Sequence, residues 1–374
     1  MHRWFGRSAA IAGRGDAAGR RPLPGAALSA IVALAIASGC ATVETPVAPT
    51  PPPEPDRHPV VTSPPVAAPA STGQLLAQNE RYVIYVPTAD DTLKSIARRF
   101  LGSDDLDWAI ADFNRVNRAL PGQPIVVPLQ RGNTTGVFAD GYQTVPILCY
   151  HRFGTVSGKM TLTPANFAAQ LDYLARNDYR VIRLSDLVEF LEGKRSLPKR
   201  AVVITIDDGY VSAYHTAFPL LKRYGFPATV FVYSDFIGSR DALTWAQMQE
   251  MVASGLVDVQ AHSKTHSNLT LRRSGESDER YRDRLDWEIR YPRQIVQQRL
   301  SVRVTHFAYP YGDTNEIVVQ RLARADYKSA VTVNPGPNAF FSPAFALRRT
   351  MIFGDHDLEA FKAKLQVFRE MDLR

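Results

Sequence analysis

The chain has 374 residues, 45% hydrophobic and 22% charged, enough to bury at least one sizeable core and to form two domains. The formal net charge is +7, but Arg3, Arg7, Arg14, Arg20 and Arg21 against Asp16 put +4 of it in residues 1–39 and leave +3 for the remainder. So weak a basic balance gives no support to nucleic-acid binding.

The N-terminal stretch has the order of a secretion signal: arginines, an apolar run from Ala26 to Ala37 ("AALSAIVALAIA"), then small residues. The run is too short to span a bilayer comfortably. Ala37-Ser38-Gly39-Cys40 resembles a bacterial lipobox, with Ala37 where Leu is usual. The resemblance implies that Cys40 becomes the lipidated first residue of the mature protein, and Ala41 after it implies the periplasmic face of the outer membrane; plain secretion is the alternative. With Cys40 lipidated, Cys149 is the one thiol left and no internal disulfide is possible. Cys149 sits in "VPILCY" and reads as a small buried hydrophobe.

From Pro46 to Pro69 ten of 24 residues are proline, a composition that cannot pack a core and makes residues 40–78 an extended tether. At about 3.1 Å per residue that run reaches roughly 75 Å. Residues 79–131 follow as a small βααβ domain: alternation in Tyr82 to Val86, Leu93, Ile96, Ala97 and Phe100 at helical spacing, and β-rich "PIVVPL". "DTLKSIARRF", "IADFN" and "LPGQPIVVP" are similar to a LysM domain, which implies binding of N-acetylglucosamine glycans such as peptidoglycan or chitin. A spacer with the fold but no affinity is the alternative.

Residues 142–374 alternate strand and helix. The strands are "VPILCY", "YRVIRL", "AVVITI", "ATVFVY", "LVDVQA", "VTHFAY" and "KSAVTV"; the helices fall near 164–177, 185–192, 211–224, 244–253, 279–300 and 315–325, with a last one from Asp357. Repeated βα units make this an α/β domain with parallel strands, in an open sheet or a barrel. Residues 271–290, rich in both charge signs, read as a solvated loop running into an exposed helix.

"VVITIDDGY" ends a buried strand in two adjacent carboxylates, Asp207 and Asp208, before Gly209. Like charges so close raise one pKa unless a cation lies between them and water, so the pair asks for a metal; a solvated Asp-Gly turn is the plain alternative. After the strand "LVDVQA", His262 and His266 in "HSKTH" are four apart, so one helical turn aims both imidazoles at a common point. Two imidazoles and a carboxylate form a common three-ligand set with open positions.

"TIDDGY", "HSKTH" and "FAYPYGD" (307–313), in that order, resemble the first three motifs of the polysaccharide deacetylases, carbohydrate esterase family 4. The resemblance implies a distorted (β/α) barrel and hydrolysis of N-acetyl groups on amino-sugar polymers. By position it implies that Asp208, His262 and His266 bind a divalent ion, zinc before cobalt, nickel or iron. It makes Asp207 the general base and gives the Tyr311 backbone N–H to the oxyanion. The family's C-terminal Leu-x-x-His is missing, but Leu148-Cys149-Tyr150-His151 has its spacing. That pattern resembles the circularly permuted subgroup containing poly-N-acetylglucosamine deacetylases and makes His151 the general acid, with His356 the weaker candidate. Ala308 stands where the third motif has Arg, leaving Arg348 or Arg349 to supply the cation. Tyr210, Tyr311 and Trp245 are candidates for stacking on sugar rings.

The expected function is metal-dependent N-deacetylation of an exopolysaccharide, peptidoglycan or chitin-like glycan in the cell envelope, by a lipoprotein anchored through Cys40 or a secreted protein. An O-acetyl sugar esterase and a non-catalytic wall-binding lipoprotein are the rival readings.

Overall fold

The computed structural model describes residues 73–130 and 132–372. The signal-like stretch, Cys40 and the proline-rich run to Pro69 lie outside the described residues. Among the described residues no helix is long and apolar enough to cross a membrane.

The small N-terminal module is an antiparallel sheet of β1 (Gln74–Gln78), β2 (Tyr82–Val86) and β3 (Ile125–Pro128), in that order, with helices α1 (Leu93–Leu101) and α2 (Asp107–Asn114) between β2 and β3. Val83, Tyr85, Leu93, Ile96, Ile110, Ile125 and Val127 form its own core, so the alternating and helical spacings both close on one interior. Thr92 starts α1 with a reciprocal cap: its hydroxyl accepts from Ser95 N, and the Ser95 hydroxyl accepts from Thr92 N. Strand β1 is an addition to the expected βααβ order and shortens the expected tether. All five of its residues are exposed, so no alternation marks it in the sequence.

The larger domain is a parallel sheet built from β4 (Ile147–Tyr150), β5 (Arg180–Ile182), β6 (Ala201–Ile206), β7 (Ala228–Val232), β8 (Val257–Ala261), β9 (His306–Ala308), β10 (Ser329–Val331) and β11 (Thr350–Met351). Strand order is β10-β9-β8-β7-β6-β4-β11, with β5 also paired to β6. Leu347 hydrogen-bonds across to β10 through Ala330 and Thr332, and four residues later Met351 pairs with Cys149 of β4. One short segment thus reaches both edges and curls the sheet into a distorted barrel. Helices α3 (Pro164–Arg176), α4 (Leu184–Leu191), α5 (Phe218–Tyr224), α6 (Trp245–Ala253), α7 (Asp278–Leu300), α8 (Glu316–Arg324) and α9 (Leu358–Lys362) fall where the periodicity placed them, within a residue or two apart from the later start of α5. Residues Val137–Phe138, Gly141–Gln143 and Phe368–Glu370 make a separate antiparallel sheet that joins the two ends of this domain.

All six residues of β6 are buried. Val202, Ile204 and Ile206 pack with the helices, whereas Val203 packs with Ile147, Phe231, Ala308, Val331 and Leu347 from neighbouring strands. Period-2 alternation therefore sorts the strand between the helical layer and the barrel interior. Continuing the inward row gives Thr205 and then Asp207, which puts a carboxylate inside the barrel mouth.

Candidate metal and active site

The two carboxylates of "DDG" are separated by the backbone. Asp207 extends the inward row of β6, and Asp208 then takes a left-handed conformation with φ 72°. Gly209 follows at φ 78°, and a Cβ there would come within 2.9 Å of the Val232 side chain, so the turn requires glycine.

Asp207 is 1% exposed and lies in the fork of Arg349: Nη1 donates to Oδ1 and Nη2 to Oδ2, each at 2.6 Å. Arg349 itself is fully buried, and its other donors go to the Thr332 carbonyl at 2.8 Å and the Thr205 hydroxyl at 3.2 Å. The Cys149 thiol adds a 3.6 Å contact to Asp207 Oδ2. Burial pushes the Asp207 pKa up, but the Arg349 charge and hydrogen bonds outweigh it and hold the carboxyl below its ordinary range. Of the two sequence candidates, Arg349 is the cation that meets the carboxylate; Arg348 is exposed, with Nη1 reaching the Pro335 carbonyl at 3.4 Å.

Asp208 turns the other way. Its Oδ1 stands 3.4 Å from His262 Nε2 and 3.2 Å from His266 Nε2, and one ligand atom from each of the three residues fits within 4.8 Å. His262 is buried, and its Nδ1 donates to the Ala308 carbonyl at 2.7 Å, which fixes the tautomer with Nε2 free toward Asp208. Ala308, where the family motif has Arg, therefore contributes through its backbone. Burial lowers the His262 pKa, but Asp208, Asp207 and the Ala308 carbonyl together raise it above its ordinary value. The donor set, its convergence and the fixed tautomer fit a single divalent ion.

The "HSKTH" segment is a bend with left-handed Ser263 (φ 69°) and His266 (φ 59°), which corrects the expected helical turn. The imidazoles converge because the Ser263 hydroxyl accepts from His266 N at 2.9 Å and Glu288 anchors the middle of the loop. Glu288, 2% exposed on α7, accepts from Lys264 N at 3.0 Å, Thr265 N at 2.9 Å and Thr265 Oγ1 at 2.7 Å. Its neighbours Tyr281, Leu285 and Ile289 are buried too, so 271–290 is not simply a solvated stretch. Charged flanks hid a buried carboxylate whose role depends on a loop 23 residues away.

His151, just after β4, is half-buried, and its ring lies within 4.8 Å of Asp207 and Cys149. Burial lowers its pKa against the pull of Asp207 and Asp208, so the imidazole is neutral at rest. His356 joins neither cluster: its Nδ1 accepts from Phe353 N at 3.2 Å. Tyr311 is in the left-handed region at φ 63°, and its exposed ring lies 4.9 Å from that of His266. Gly312 beside it has no room for a Cβ, which would come 2.4 Å from Val333 Cγ2. Tyr233, unflagged by the sequence, flanks His266 from another side at 5.0 Å. Tyr210 is half-buried under the Arg152 guanidinium, 3.8 Å from its ring centre. Trp245 packs instead against the main core at the start of α6, with Arg299 5.9 Å over its ring. A cleft of about 1140 Å³, lined among others by Trp108, Arg180 and Arg200, lies at the strand starts, at the opposite end of the sheet from this site.

Residues 194–330 match the polysaccharide deacetylase family model. The chain is 27% identical over 222 residues to YxkH of Bacillus subtilis (strain 168), covering 59% of this chain and 76% of that one. It is 24% identical over 246 residues to the poly-beta-1,6-N-acetyl-D-glucosamine N-deacetylase of Escherichia coli (strain K12), 56% of this chain but 36% of that enzyme's length. Among solved structures it is similar to the Streptococcus pyogenes deacetylase PplD in complex with acetate (25% identity, TM-score 0.55, 60% of this chain and 98% of that one). It is also similar to IcaB from Ammonifex degensii (27% identity, TM-score 0.54, 61% and 98%).

Proposed function

We propose that the chain is a polysaccharide deacetylase, a metal-dependent hydrolase removing N-acetyl groups from an amino-sugar polysaccharide of the cell envelope; the family match over residues 194–330 and the deacetylase relatives support this reading. The observation that carries the reading is the division of labour between Asp207, buried and clamped by Arg349, and Asp208, facing two imidazoles.

Asp208, His262 and His266 would hold the ion, and zinc suits two imidazoles and a carboxylate, with cobalt, nickel and iron compatible. Bound there, it supplies Lewis acidity toward the acetamide carbonyl and lowers the pKa of water. Asp207 takes the proton of the attacking water; Arg349 keeps it ionised and oriented for that task. The Tyr311 backbone N–H is assigned to the oxyanion, a role that the left-handed turn at Tyr311 supports. His151 passes to the leaving amine the proton that Asp207 takes from the water, and its lowered pKa leaves the imidazole free to receive it.

The finer parts of the proposal rest on the sequence. A Leu-x-x-His carried by the first strand favours the circularly permuted poly-N-acetylglucosamine subgroup. The βααβ-type module supports LysM-like glycan binding, and Cys40 supports lipid anchoring at the periplasmic face of the outer membrane.

The test is acetate release by the purified chain, with and without zinc, on β-1,6- and β-1,4-linked N-acetylglucosamine oligomers, peptidoglycan and a matched O-acetylated sugar, beside Asp207→Asn. Zinc-dependent release from an N-acetyl substrate, lost in the variant, is expected. Release from the O-acetyl substrate alone would move the activity to the esterase class, and release from none would leave a wall-binding protein.

A further inference from the structure

Trp287 is 56% exposed on α7, off the buried stripe of Tyr281, Leu285, Glu288, Ile289 and Pro292 that fixes the helix to the domain. An exposed indole paired with a second aromatic ring offers a flat apolar face for a ligand to stack on. Its ring is braced by Tyr291 one turn on, with ring centres 4.8 Å apart, and Tyr291 in turn lies 5.5 Å from the Lys264 ammonium. Lys264 is itself held by both carboxylate oxygens of Asp235 at 2.7 Å. The aromatic pair is therefore docked on the loop between His262 and His266.

Trp287 also lines a groove of about 550 Å³ that it shares with Thr265, Arg273, Ser274, Arg280 and Glu288. One wall is Thr265, adjacent in sequence to His266, and the other is the 273–276 turn, pinned by the ion pair of Arg284 with Glu276 at 2.7 Å. The lining combines one large aromatic face with hydroxyl, guanidinium and carboxylate groups, the mixture that suits a ligand with an apolar ring face and a rim of hydroxyls. Glu288 lines this groove and also holds the loop that carries His266, so occupancy and the metal-binding loop share a support.

We propose that this groove is an accessory sugar subsite, in which Trp287 stacks on a pyranose ring of the polymer some residues from the one being deacetylated. The ligand's identity rests on the deacetylase reading above, and the groove's role is to select long glycans over short ones.

The test measures binding and turnover separately, on the whole chain. Wild type, Trp287→Ala and Trp287→Phe are titrated calorimetrically with a β-1,6-linked N-acetylglucosamine hexamer and with the dimer, and acetate release is followed on the same two substrates. The expected result is a roughly tenfold weaker hexamer affinity in Trp287→Ala, equivalent to about 1.4 kcal/mol. Dimer turnover and kcat should be unchanged, and Trp287→Phe should recover most of the loss. Equal effects on dimer and hexamer, or no effect on either, would overturn the subsite, as would a wild type that binds no hexamer. Trp287-dependent hexamer binding without acetate release would leave the groove standing and remove the deacetylase reading.

Discussion

Arg349 and Asp207 are 142 residues apart in the chain and meet through two parallel hydrogen bonds of 2.6 Å, both side chains buried. This pair takes the Asp207 charge out of competition with Asp208 and answers why two carboxylates can stand side by side: Asp207 is matched by the Arg349 guanidinium, while Asp208 faces the two imidazoles with which it would hold an ion. Removing one member leaves the other as an uncompensated buried charge. Arg349→Ala is expected to destabilise the fold by about 3–5 kcal/mol, read from the urea midpoint. Arg349→Lys keeps the charge but loses the planar fork, so it should fold better than the alanine variant yet recover little activity. Full activity in the lysine variant would show that charge alone suffices.

The same pair sets a pH dependence. A carboxylate whose pKa is depressed on folding contributes stability above its unfolded pKa of about 3.9, and that contribution disappears as pH falls through the lower folded value. Metal-free protein should therefore lose stability progressively as pH falls below about 5, and Asp207→Asn should lose less of it over that range. Parallel urea curves for the two proteins across that range would count against the assignment.

Metal content is the direct check on the second carboxylate. His262→Ala or Asp208→Ala should carry less than about a tenth of the wild-type metal, measured by atomic spectrometry, because two ligands cannot hold the ion against buffer. Far-UV circular dichroism of the variants should remain that of wild type. Metal at wild-type level would move the site elsewhere.

Glu288 holds the loop between the candidate ligands His262 and His266. Glu288→Ala orphans two backbone N–H groups and a hydroxyl, and is expected to weaken metal affinity about 10- to 100-fold while the ligands remain in place. Competition with a metallochromic chelator measures this, and unchanged affinity would reduce Glu288 to a packing role.

The two histidine candidates for general acid separate cleanly. His151→Ala should lower kcat by about 10²- to 10⁴-fold with little change in metal content, whereas His356→Ala should be close to wild type. The opposite ranking in steady-state kinetics would reassign the acid.

The element order was legible because most strands and amphipathic helices carry their own period, and the short, β-branched run 201–206 read as a doubly buried strand with Asp207 and Asp208 at its end. His262 and His266 were legible as a pair, although the helical turn invoked to converge them is in fact a bend made by two left-handed residues. What one-dimensional spacing could not carry was every interaction that closes the barrel. Strand β1 has no buried face to leave a pattern, and β11 is only two residues long. Glu288 sits among charges that look solvated, and nothing in "ALRRTM" tells which arginine turns inward. The local sequence determined the strand ends and nominated the candidate ligands and acid–base residues, because burial periodicity and side-chain chemistry are written residue by residue. The curl of the sheet decided that Arg349 rather than Arg348 faces Asp207, that the Ala308 carbonyl fixes His262 and that Glu288 anchors the ligand loop, because those depend on which distant segments the closed barrel brings within hydrogen-bonding reach.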